Sequence, residues 1–147
     1  MSLHKFCSCG ASIPYSKKRC DKCQEKLDIY NKSRNYKDKK RPSDKEAMFY
    51  NTKEWRKLRD KIVKAYMSMD IYEYYKTGKI VSSEVVHHLV EVRSDWSKRL
   101  DKFNLIPCTR KNHQEIHLKY EVYGEEVVRK ELEEMLIRFR EEFGVRL

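Results

Sequence analysis

The chain has 147 residues, which suits one compact domain with a small appendage and is too short for two ordinary domains. Hydrophobic residues make up 39% and charged residues 38%, and no apolar run approaches the roughly 20 residues of a membrane helix, which excludes a transmembrane protein. A net charge of +10 and a pI near 9.3 point to nucleic acid or another polyanion as partner.

The opening stretch MSLHKFCSCG has no apolar secretory core, so an intracellular, cytoplasmic setting is expected. Five cysteines in such a reducing compartment read as metal ligands or buried thiols before disulfides. The charge is uneven. Residues 1–45 carry 13 Lys/Arg against 5 Asp/Glu, while residues 46–147 are close to neutral. A boundary is expected near Lys45, after the break at Arg41-Pro42-Ser43, giving a module at 1–25, a basic linker or arm at 26–45 and a main domain at 46–147.

The first module holds Cys7-x-Cys9 and, after ten residues, Cys20-x-x-Cys23. Tetrahedral zinc takes four soft ligands, and a Cys-x-x-Cys turn supplies two without strain, so a four-cysteine zinc knuckle is the expectation. So short a segment needs a metal to fold. Four free cysteines or a redox pair is the blander reading. His4 is close enough to be a substitute ligand, but four thiolates already complete the shell. The knuckle either caps the fold or presents Lys17, Lys18, Arg19 and Lys22 to phosphates. Residues 24–45 are basic with tyrosines interleaved (Tyr30, Tyr36), and Leu27, Ile29 and Tyr30 form at most the weak stripe of a short helix. This segment is either an arm tracking a phosphate backbone or a solvated linker.

Next, Asn51 or Thr52 can cap a helix through KEWRKLRDKIVKAYM, with Trp55, Leu58, Ile62 and Ala65-Tyr66 on one face. Lys53, Arg56, Lys57, Arg59 and Lys61 fall on the other, a solvated face or one that meets DNA. An aromatic-rich segment, DIYEYYKTG, ends at Gly78, and IVSSEVVHHLV reads as a strand. Residues 91–103 read as a charged loop, and NLIP as a second short strand or extended piece. A helix starts at Arg110 and carries His113 and His117. GEEVVRKELEEMLIRFREEF is an amphipathic helix whose apolar stripe is Val128, Leu132, Met135 or Leu136, and Phe139; Glu125-Glu126 suit its N-terminal dipole.

Four of the five histidines fall within 31 residues, as His87-His88 and His113-x-x-x-His117. The i, i+4 pair puts two imidazoles on one helix face, a good bidentate metal site. Adjacent strand residues point to opposite faces, which argues against His87 and His88 serving one site unless the pair lies where the strand bends into its loop. A division of labour then follows: one completes the metal shell and the other stays unligated as a base.

The stretch VVHHLVEV…FNLIPCTRKNHQEIH resembles the HNH nuclease motif over about residues 47–120, with His87-His88, Asn104, His113 and His117 in order. The resemblance implies an α+β fold with a ββα-metal (His-Me finger) core, flanking helices and the N-terminal zinc-binding module built on four cysteines. It implies His87, His113 and His117 as ligands to one divalent cation (Mg, Mn, Ni or Zn), His88 as general base, and Asn104 bracing the loop between strand and helix. Arg93, Arg110 or Lys111 would hold the scissile phosphate. The implied activity is metal-dependent DNA endonuclease, the product a nick, the partner double-stranded DNA with no small-molecule substrate. The helix before the motif, the knuckle and the arm are similar to those of small phage HNH proteins encoded beside packaging genes. That similarity implies phage terminase as partner and a bacterial host cytoplasm. Many such proteins carry two further Cys-x-x-Cys pairs; the corresponding positions here are Ile71, Tyr74, Thr109 and Asn112, where an apolar or aromatic contact is expected instead of zinc. Cys108 is expected as a buried thiol. Two other readings compete: a catalytically silent zinc-finger DNA-binding protein, for which a fourth histidine has no use, and an enzyme acting on RNA, which the charge permits equally.

Overall fold

The computed structural model describes residues 3–39 and 42–147, the side chains of 33–39 excepted. The chain divides into two compact units, Met1–Arg41 and Pro42–Leu147. Among the described residues no helix is long and apolar enough to cross a membrane.

The first unit opens with an antiparallel hairpin of β1 (His4–Phe6) and β2 (Ser12–Pro14), in which Lys5 faces Ile13. Its turn closes by hydrogen bonds from Cys7 N–H to Ala11 O and from Gly10 N–H to Cys7 O. Gly10 sits at φ +88°, a region that L side chains rarely adopt. Helix α1 then runs Asp21–Lys39, where the sequence predicts a linker or arm with at most a short helix. Residues 21–39 contain no Gly or Pro and are rich in good helix formers, so a helix forms although its apolar stripe is weak. Of that stripe Leu27 and Ile29 are half-buried and Tyr30 is exposed. Of the basic arm, Tyr36 and the other side chains of 33–39, with residues 40 and 41, lie outside the described residues.

The second unit begins with α2 (Asp44–Tyr50), started by a reciprocal capping box: Glu46 N–H donates to Ser43 Oγ and Ser43 N–H to Glu46 Oε2. Helix α3 (Lys53–Ala65) is capped by Thr52, buries Trp55 and Ile62, and exposes Lys53, Arg56, Lys57, Arg59 and Lys61. Helix α4 (Ile71–Thr77) covers the aromatic-rich segment, from the Asp70 cap to Gly78 in the left-handed region.

Strands β3 (Val85–His88) and β4 (Leu105–Cys108) pair antiparallel, with His87 opposite Ile106 and His88 opposite Leu105. Strand β3 is shorter than the apolar run from Ile80 suggests. Residues 81–83 pair instead with the turn after α3: Asp70 N–H donates to Val81 O and Ser83 N–H to Ser68 O, both at 2.8 Å. The loop to β4 contains two short 3-10 turns, Trp96–Lys98 and Lys102–Asn104, capped by Asp95 and Asp101. Helix α5 (Arg110–Tyr123) starts on the Thr109 cap, and Gly124 separates it from α6 (Glu125–Phe143). The buried stripe of α6 is Val128, Leu132, Leu136 and Phe139; Leu136 takes the core position and Met135 only flanks it. These residues close over Ile62, Tyr66, Ile71, Leu105, Ile106, Cys108 and Ile116. The fold is α+β. Cys108 is fully buried, and burial pushes its thiol pKa up.

The contact expected at Ile71, Tyr74, Thr109 and Asn112 is different in kind. Ile71 is buried and Tyr74 packs on the core, but Thr109 and Asn112 join a polar hub on Asp70, which is wholly buried. The Asp70 carboxylate accepts from Glu73 N–H (2.7 Å), Thr109 N–H (2.7 Å) and Asn112 Nδ2 (2.8 Å). Asn112 Nδ2 also donates to Glu73. A carboxylate accepting several N–H groups ties α4 to the start of α5 without metal, because buried polar groups require such partners.

Candidate active site

Strand β3 delivers His87 and His88 to opposite faces. His87 turns toward α5, where its ring centroid lies 5.1 Å from that of His113 and 4.8 Å from that of His117. The i, i+4 spacing on α5 brings His113 Nε2 and His117 Nε2 to 3.0 Å. One ring nitrogen from each of His87, His113 and His117 lies within 4.8 Å of the others.

Hydrogen bonds at the far side of two rings fix which nitrogen faces the cluster. The Tyr120 hydroxyl donates to Leu89 O at 2.7 Å, so it accepts from His87 Nε2–H at 3.0 Å. His87 Nδ1 therefore keeps its lone pair. His117 Nδ1 lies 3.0 Å from Glu91 Oε1 and donates to it, which turns the lone pair of His117 Nε2 toward His113. Burial holds the His87 pKa well below the usual value, and burial followed by the charge of His117 lowers His113 to about 4. These two rings are thus neutral imidazoles at neutral pH, as metal binding requires. Two nitrogens bound to one cation at about 2.1 Å sit roughly 3.0–3.5 Å apart, which the 3.0 Å between His113 Nε2 and His117 Nε2 matches, and three neutral imidazoles are a donor set that a divalent ion accepts.

His88 occupies the other face. Its ring stacks on Trp55 at 4.8 Å and meets the edges of Phe49 and Tyr50. Its Nε2 lies 2.9 Å from Arg99 O, an acceptor only, so Nε2 carries the proton. Among the described residues Nδ1 has no hydrogen-bond partner. Burial lowers the His88 pKa, and the Arg99 carbonyl opposes that shift.

Asn104 is buried just before β4 and holds the loop that carries Arg99. Its Oδ1 accepts from Val90 N–H at 2.8 Å, and its Nδ2 donates to Val90 O at 3.0 Å and Lys98 O at 3.4 Å. Of the three candidate phosphate holders, Arg93 is engaged by Glu46, with Nε 3.1 Å from Oε1, while Arg110 and Lys111 are exposed. Glu91 and Tyr120 do not stand out in the sequence. Glu91 is one acid in a charged loop, and Tyr120 reads as one more apolar position of α5.

In the first unit, Cys7, Cys9, Cys20 and Cys23 converge within 4.8 Å. Cys9 Sγ and Cys20 Sγ are 3.5 Å apart, and Cys7 Sγ accepts from Cys20 N–H at 3.4 Å. That amide leads in lowering the Cys7 pKa to about 6, and the neighbouring sulfur of Cys20 leads in raising Cys23 to about 12. Four crowded sulfurs that resist joint ionisation are what a zinc ion would neutralise, and all four fit it. His4 is not in the cluster.

Two antiparallel strands and a helix thus surround a three-histidine cluster, with a fourth histidine behind the first. This is a ββα-metal arrangement. No family model matches the chain, and no curated protein does. Among solved structures, the HNH endonuclease of the deep-sea thermophilic bacteriophage GVE2, crystallised with manganese ion, is similar to it. The likeness covers 70% of this chain and 97% of that one, at 22% identity and a TM-score of 0.46.

Proposed function

We propose that this chain is a metal-dependent DNA endonuclease of HNH type that nicks one strand of double-stranded DNA. One observation carries the reading. Three imidazoles converge as a set that could hold a metal ion, while the fourth, His88, is held by Nε2 with the Nδ1 lone pair left over. A purely structural site has no use for that fourth ring.

His87, His113 and His117 would hold the cation. When bound, a divalent ion supplies Lewis-acid polarisation of the phosphoryl oxygen and stabilises the leaving 3′ oxygen. A histidine-rich shell suits Mn, Ni or Zn, and abundance favours Mg. His88 Nδ1 takes a proton from water as the water attacks phosphorus in line. Burial keeps His88 neutral beforehand, and the Arg99 carbonyl then holds the imidazolium through Nε2–H. Asn104 serves by clamping Val90 and Lys98, which sets the loop that presents that carbonyl. Arg110 and Lys111, exposed at the start of α5, would hold a phosphate.

The cysteine knuckle at 1–25 would bind one structural zinc, and the basic arm at 26–45 would track the phosphate backbone, where each neutralised phosphate releases a counterion. Lys18, Arg19 and Lys22 are exposed for that role, while Lys17 pairs with Asp21 at 2.9 Å. The nuclease domain is 46–147. A place in phage DNA processing beside terminase, in the host cytoplasm, follows the resemblance in layout. The test is conversion of supercoiled plasmid to open circles with Mg, Mn or Zn and with EDTA. Metal-dependent nicking is expected. No cleavage with any metal, alongside a salt-sensitive gel shift, would favour the non-catalytic DNA-binding reading.

A further inference from the structure

The three-histidine set has a chemical gap: its three nitrogens are neutral, so a divalent cation among them would keep its full charge in a site where His87 is buried. Uncompensated charge in such surroundings is costly. An anionic group stands beside this set, Glu91. Its carboxylate lies 3.0 Å from His117 Nδ1, with only 13% of its side chain exposed against 16% for His117. Its backbone is anchored, because it follows Val90, whose N–H and C=O are both clamped by Asn104.

We propose that Glu91 is the anionic positioning residue of this metal centre, holding His117 through Nδ1–H and supplying negative charge one imidazole away from the cation. The inference rests on the reading of His87, His113 and His117 as ligands. Two effects follow from one contact. The hydrogen bond fixes the His117 ring and tautomer so that Nε2 faces His113. The carboxylate also polarises the imidazole, which raises the electron density that Nε2 offers a cation. Tyr120 is the uncharged counterpart at His87. Its hydroxyl orients that ring through Nε2–H but brings no charge, so the electrostatic share falls to Glu91.

The test is calorimetric titration of the full chain, carrying one equivalent of zinc, with Mn2+. Manganese prefers nitrogen and oxygen donors, so it reports on the histidine site and not on the thiolates. Glu91→Ala should weaken Mn2+ binding by about 10–100-fold. Glu91→Gln keeps an acceptor oxygen without the charge, and should fall between that variant and the parent. Circular dichroism and the melting temperature of the metal-free variants check that the fold persists, and the near-isosteric Gln variant carries the test should Ala fail to fold. Glu91→Gln binding Mn2+ as tightly as the parent would overturn the charge role. Failure of the parent chain itself to bind Mn2+ would instead remove the metal-centre reading on which the inference stands.

Discussion

The cysteine cluster and the histidine cluster differ in what surrounds them. Among the described side chains of the first unit, only Cys7 and Ile13 are buried, and the hairpin and α1 meet around sulfur. The histidine cluster instead hangs on a core of nineteen buried residues that runs from Phe49 to Phe139. A unit with so little apolar burial cannot by itself offset its conformational entropy and would depend on a bound ion, whereas the second unit is folded by packing and would only position its ligands. On the proposed reading, one cluster makes a fold and the other is made by one.

Chelation breaks this symmetry most visibly. Removing metal should unfold the hairpin of residues 4–14 and expose the cysteines, while residues 42–147 keep their amide protection in hydrogen-exchange measurements. Equal loss of protection in both units would contradict the contrast.

The second largest effect belongs to the metal-free hub. Asp70→Ala leaves the amides of Glu73 and Thr109 and the Asn112 side chain without their buried acceptor, and should destabilise the second unit by roughly 3–4 kcal/mol in denaturant melts. A loss below about 1 kcal/mol would mean that the hub is incidental.

That hub also marks the limit of what the sequence discloses. The His87-His88, Asn104 and His113-x-x-x-His117 spacings are legible because metal chemistry restricts residue type and interval together, and the Thr52 cap and the Leu132–Phe139 stripe follow local rules. Asp70 reads like any helix-starting acid, since its reach to Thr109 and Asn112 spans about forty residues and leaves no local signature. Glu91 hides in the same way among charged neighbours. The length of α1 is illegible for the opposite reason: helix propensity without an apolar face gives no period to read.

A subtler difference concerns acid. In the metal-free chain, His87, His88 and His113 have pKa values below the usual value of about 6.5, with His113 at about 4. The unfolded chain therefore binds more protons than the folded one between those limits, and stability is lost as pH falls from about 6.5 toward 4. The melting temperature of the second unit, followed in EDTA, should decline over that window. A flat profile there would contradict the burial of these rings in neutral form.

His88 is the residue on which the proposed chemistry turns, and one pair of readings on one variant tests it. His88→Gln keeps a side-chain amide able to donate to Arg99 O but removes the base. The same protein sample should bind Mn2+ with the parent affinity and nick supercoiled plasmid at least about 100-fold more slowly. Undiminished nicking would contradict the assignment of His88 as base, and loss of Mn2+ binding together with nicking would place His88 among the ligands instead.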